Sequence, residues 1–235
     1  MKRILFVIIA LFISTQAYAG VNTASATVKL YKAYASTSAL CTDPVTFFDA
    51  SLDTATYPDG YSAVDFANTT DNTIGNGTIA DGTYPCIIFK MSDMITFTPA
   101  TEVTKEGTDV ICDPEVSYEM EICGQSGRSF DVYNPETGES TACGEEEEII
   151  WMYVSTYSTS TEGSDTNNAF TPPLENGDAD HGVNLTNAMS IVGSTTGTLV
   201  FGTDGKVDVL PYGEEGTYIC NMEQPVFSFR SAVTE

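Results

Sequence analysis

The chain is poor in positive charge: 9 Lys and Arg stand against 33 Asp and Glu in 235 residues, a formal charge of −24. That shortage argues against two partner classes at once, because nucleic acid phosphates and anionic lipid headgroups both repel a dense polyanion. Histidine and tryptophan are scarce too, with 1 of each. Since His181 stands alone and no C-x-x-C pair is present, a Cys/His zinc centre lacks its usual ligands. No apolar run reaches the roughly 20 residues that cross a bilayer. Internal repeats, heptads and a nucleotide-binding glycine loop are also missing.

The prominent apolar run that does exist, Ile4 to Ile13, follows Lys2 and Arg3 and precedes Ala17-Tyr18-Ala19 and Gly20. Positive flank, short apolar stretch and small residues in sequence are the plan of a secretory signal peptide. The expectation is a leader over 1–19 and a single exported domain over 20–235, in the periplasm, at the cell surface or in the medium. The residue directly after the cleavage point is Gly20, not cysteine, so no lipid anchor is expected, and no membrane span. Losing Lys2 and Arg3 leaves 7 basic residues and takes the charge from −24 to −26. Acidity of this density suits solubility in a salty medium, where repulsion is screened within ~8 Å. The alternative is divalent-cation binding.

All six cysteines, Cys41, Cys86, Cys112, Cys123, Cys143 and Cys220, lie in the exported part. An even number in an oxidising compartment argues for up to three disulfides. Of the 15 connectivities open to six cysteines, the expected one is Cys41 with Cys86, Cys123 with Cys143, and Cys112 with Cys220.

Turn dipeptides at Asp59-Gly60, Asn76-Gly77, Asp81-Gly82, Thr137-Gly138 and Asp204-Gly205 break the chain into short apolar or alternating segments. That spacing predicts an all-β, antiparallel sandwich of jelly-roll or immunoglobulin-like type, stapled by disulfides. Strands are expected at 26–35, 45–49, 62–67, 84–98, 116–122, 129–133, 148–156, 189–192, 197–201, 206–210, 217–220 and 226–229. In the clearest, Ile87, Phe89, Met91, Ile95 and Phe97 alternate with Lys90, Ser92, Thr96 and Thr98. Asp93 interrupts the apolar side. A bulge over Ser92 to Met94 is expected to turn it outward, since an unpaired buried carboxylate is costly. Trp151, within Ile149 to Val154, reads as core, and Glu145 to Glu148 before it as gatekeeping charges. Residues 101–147 hold three cysteines and read as a stapled excursion, and Ser158 to Gly182 as a long surface loop.

Candidate chemistry is thin. Asn176-Gly177-Asp178-Ala179-Asp180 spaces oxygen ligands as calcium loops do, which makes Asp178 and Asp180 the candidate Ca²⁺ ligands. The EF-hand pattern fails, however, in the glycine position and at Asn187. His181 as a general base would need a positioned nucleophile and an oxyanion hole. Gly124-Gln125-Ser126-Gly127-Arg128 lacks the final glycine of a nucleophile elbow. Paired carboxylates are too abundant to single out a glycosidase pair. Tyr57, Tyr61 and Tyr157, near turns, are the candidate ligand contacts for a sugar. The sequons at Asn68, Asn76 and Asn184 matter only in a glycosylating host, and the compact leader is of bacterial kind. Both mature ends read as strands, which self-assembling subunits exchange.

The sequence thus predicts a non-enzymatic secreted or surface β-protein, a structural or adhesive subunit with a self-assembly, cell-surface or polysaccharide partner. No cofactor is expected. A carbohydrate-binding or carbohydrate-cleaving module is the first alternative, and a Ca²⁺-binding envelope protein the second.

Overall fold

Two long strands organise the molecule in the computed structural model, which describes residues 20–67, 79–105, 110–122, 131–143, 149–159, 168–174, 181–193, 195–211, 213, 216–223 and 225–233. β1 (Thr23–Ser36) and β5 (Cys86–Pro99) run antiparallel for their whole length. β1 is rich in β-branched, alanine and tyrosine residues, and β5 carries the predicted alternation, so each presents an apolar side to the core.

Each long strand changes partner halfway along its outer edge. β1 pairs first with β3 (Ser62–Asp65) and then with β2 (Val45–Asp49). β5 pairs with β11 (Ile149–Ser155) and then with β8 (Tyr118–Glu121). β12 (Val183–Asn184) adds a short parallel strand to β11, which completes a seven-stranded sheet.

Five two-stranded sheets accompany it. They are β4 (Gly82–Tyr84) with β13 (Met189–Ile191), β6 (Val103–Thr104) with β7 (Val110–Cys112), β9 (Asp131–Asn134) with β10 (Glu139–Ala142), β14 (Thr195–Gly202) with β17 (Val226–Val233), and β15 (Val207–Pro211) with β16 (Tyr218–Met222). Phe227, Val207, Met222 and Val132 from these hairpins join Val28, Phe89 and Ile150 of the main sheet in one buried cluster. The fold is all-β, and the sheets are layered, sandwich fashion, not closed into a barrel.

Two disulfides fix this arrangement. Cys41–Cys86 ties the loop after β1 to the start of β5, and Cys112–Cys220 ties the excursion to β16. Both are the expected pairs. Cys143 is disulfide-bonded as well; Cys123, its expected partner, lies outside the described residues.

Asp93 corrects the sequence reading. The bulge is where it was expected, because β5 advances from Met91 to Ile95 while β1 advances only from Val28 to Leu30. Two extra residues, unlike one, leave the inward phase unchanged, so Asp93 is 0% exposed instead of turning out. The stretch from Ser158 to Gly182 is described only in part: Thr159 and Leu174 are exposed, Ser158, Phe170 and Pro173 are buried, and the Ser158 hydroxyl donates to Gly182 O at 2.9 Å. The terminal strands pair within the chain, β1 on both edges and β17 with β14.

Candidate functional site

One rung of the main sheet crosses four strands: Asp49 opposes Lys32, Lys32 opposes Lys90, and Lys90 opposes Trp151. The next rung places Tyr34, Ile88 and Tyr153 side by side. Period-two alternation sets all the rung residues on one face. Over that face the turn of the β9–β10 hairpin brings Glu136.

Glu136 gathers the cluster. Its Oε1 accepts from Lys32 Nζ at 3.0 Å and from the Tyr34 hydroxyl at 2.7 Å, and its Oε2 accepts from Lys90 Nζ at 2.9 Å. Lys32 also reaches Asp49 Oδ2 at 3.1 Å. Lys90 lies over the Trp151 ring, 5.1 Å from its centroid, at a distance where a cation is attracted to the ring face. The Asn134 side chain shapes the turn by accepting from the Glu136 N–H at 2.8 Å. A second tie holds the hairpin down: the Tyr153 hydroxyl donates to Tyr133 O at 3.1 Å.

The electrostatics follow from these contacts. The Tyr34 hydrogen bond lowers the Glu136 carboxyl to about 2; burial works against it, and Lys90 and Lys32 add to the lowering. Burial and then Glu136 push the Tyr34 phenol well above its usual range. Its hydrogen bond to Glu136 raises Lys32. A carboxylate this weakly basic, beside a Lys32 ammonium held protonated by it, is a poor general acid or base near neutrality. The cluster therefore works as a clamp, with opposite charges closing a satellite hairpin onto the sheet.

The other candidates are dispersed. Tyr57 packs edge-on against buried Phe48, ring centroids 5.5 Å apart. Tyr61 meets Tyr31 edge-on at 6.1 Å, with Lys29 Nζ 5.6 Å from its ring centroid. Tyr157 is 38% exposed, but it follows Ser155 at the Ser36 end of β1, whereas Tyr61 adjoins the Leu30 level. Six residues along a strand separate the two levels by about 20 Å, so the three tyrosines form no common platform.

His181 Nδ1 is 2.9 Å from the Thr171 hydroxyl, a partner that is no carboxylate. Asp178 and Asp180, the calcium candidates, lie outside the described residues, as do Ser126 and Glu145 to Glu148. Among the described residues no group of three or more His, Cys, Asp or Glu is placed to hold a metal, and no helix is long and apolar enough to cross a membrane. Asn184 spends its side-chain amide on Ser158 O, at 2.6 Å.

Sequence reasoning passed over Glu136, Lys32, Lys90, Tyr34 and Asp49. One signal was there: in a chain this short of lysine, two lysines falling on the polar side of the central strands require a counter-charge. No family model, no curated protein and no solved structure matches this chain.

Proposed function

We propose that the chain is an exported, non-catalytic β-protein that serves as a structural or adhesive subunit at or beyond the cell surface. The leader-like segment at 1–19 and the disulfides support the address. The observation that carries the role is the Glu136 clamp: the cluster richest in charged contacts among the described residues is consumed in holding the fold's own hairpin. Its two acids, Glu136 and Asp49, and its two amines, Lys32 and Lys90, neutralise one another and offer no poised nucleophile or base.

The test is assembly and adhesion by the oxidised protein. Sizing over a concentration series and binding to whole cells should reveal self-association or surface retention. A protein that stays monomeric at every concentration and binds no surface would overturn the reading.

A sugar-binding reading has one observation in its favour, the half-buried Tyr31–Tyr61 pair with Lys29 beside it. It expects retention on a polysaccharide column that Tyr61→Ala abolishes and Tyr157→Ala leaves intact. Equal loss in both variants, or no retention, would refute it.

A further inference from the structure

We infer that the leader is removed at the Ala19–Gly20 bond and that the new amino terminus, Gly20 to Thr23, is a clasp the mature fold requires. The inference rests on the export reading, with its leader over 1–19, and adds to it a structural role for the new terminus. Two independent observations meet at this bond. One is the small-residue motif Ala17-Tyr18-Ala19, of the kind a signal peptidase reads. The other is the packing of the residues that follow.

Gly20 lies against the turn that leads into β15. A methyl group built on its Cα would fall 2.3 Å from Gly205 O and 2.9 Å from Val207 O. Both obstacles are backbone atoms, so any side chain here would displace the turn. The next three residues make paired contacts. Val21 and Val207 exchange N–H···O bonds of 2.8 and 2.9 Å. Asn22 accepts the Gly205 N–H on its side-chain oxygen at 2.9 Å and the Ala100 N–H on its carbonyl at 2.8 Å. The buried Thr23 hydroxyl donates to Thr203 O at 3.3 Å.

Four residues thus join three regions: the exit of β5 at Ala100, the turn after β14, and β15. Within the described residues this is where the amino-terminal end of β1 meets the segment after β14, so the stretch behaves as part of the core and not as a loose tail.

The test uses the full chain, leader included, made in a secreting host. Intact mass of the exported, oxidised protein should give a chain beginning at Gly20. Gly20→Ala keeps a small residue after the motif, so export and cleavage should continue while the backbone clash lowers Tm by about 4 °C or more. Asn22→Ala, which adds no bulk, should lower Tm by a smaller amount. A cleaved protein beginning at another residue, or Gly20→Ala and Asn22→Ala proteins melting like the parent, would overturn the clasp and leave the export reading intact. An uncleaved chain retained inside the cell would instead overturn the export reading and the cleavage position with it.

Discussion

Lys32 and Lys90 face each other directly across the β1–β5 ladder, and both end on the carboxylate of Glu136, at 3.0 and 2.9 Å. Like charges in direct cross-strand opposition destabilise a sheet, and here the carboxylate of Glu136 bridges the two ammonium groups while Asp49 adds a second acid on Lys32. Glu136→Ala should therefore weaken the fold by about 1–3 kcal/mol. A Glu136→Ala, Lys90→Met double variant should recover part of that loss. Chemical denaturation of the three proteins checks both.

The acid response follows from the same residue. A carboxyl held at about 2 when folded, against 4.5 ordinarily, stabilises the fold fully above pH 4.5. That contribution disappears as the pH falls from there toward 2. With the side chain 34% exposed, solvent screening reduces it to about 1–2 kcal/mol. Melting temperature should fall over this window, and the fall should be smaller in Glu136→Gln.

Reduction should be ordered. Cys41, Cys86 and Cys112 are buried, whereas Cys220 is only partly covered, so a thiol reagent reaches the Cys112–Cys220 bond first. Loop entropy gives about 4 kcal/mol for the 45-residue bridge and about 5 kcal/mol for the 108-residue one. Differential alkylation with mass spectrometry should show Cys112 and Cys220 labelled before Cys41 and Cys86. The opposite order would contradict the burial.

Phe97, fully buried and stacked on Tyr118 with ring centroids 5.7 Å apart, holds β8 to the lower half of β5. Phe97→Ala should cost about 3–5 kcal/mol, measurable as a loss of denaturation midpoint with little change in slope.

In a host that glycosylates, Asn184 should remain bare. Its amide already donates to Ser158 O, and the neighbouring Leu185 is 1% exposed. Peptide mapping after such expression checks this; a glycan on Asn184 in a protein of unchanged Tm would contradict the packing.

The main strands were legible because they are long. β1 and β5 carry enough alternation to fix an inward side, β11 stood out as a continuous apolar run buried on both faces, and the bulge in β5 announced itself through Asp93. What alternation could not supply was the number of inserted residues, and that number decides which way Asp93 faces. The short strands Gly82–Tyr84, Val103–Thr104, Val110–Cys112, Glu139–Ala142 and Val183–Asn184 were missed for a related reason. Two to four residues hold at most two periods, and here partners reached through tertiary packing select the conformation. Glu136 was legible only as part of a turn. Its contacts bring together residues 102 and 104 positions apart, a relation that no local pattern encodes.

The two bridges also set how far the molecule can be stretched. Pulled from its ends while oxidised, a chain of residues 20–235 keeps the 45-residue and 108-residue spans closed. About 60 residues remain to straighten, roughly 20 nm at 3.3–3.6 Å per residue. The reduced chain would reach roughly 75 nm. Under tension the oxidised protein is a short tether with a hard stop.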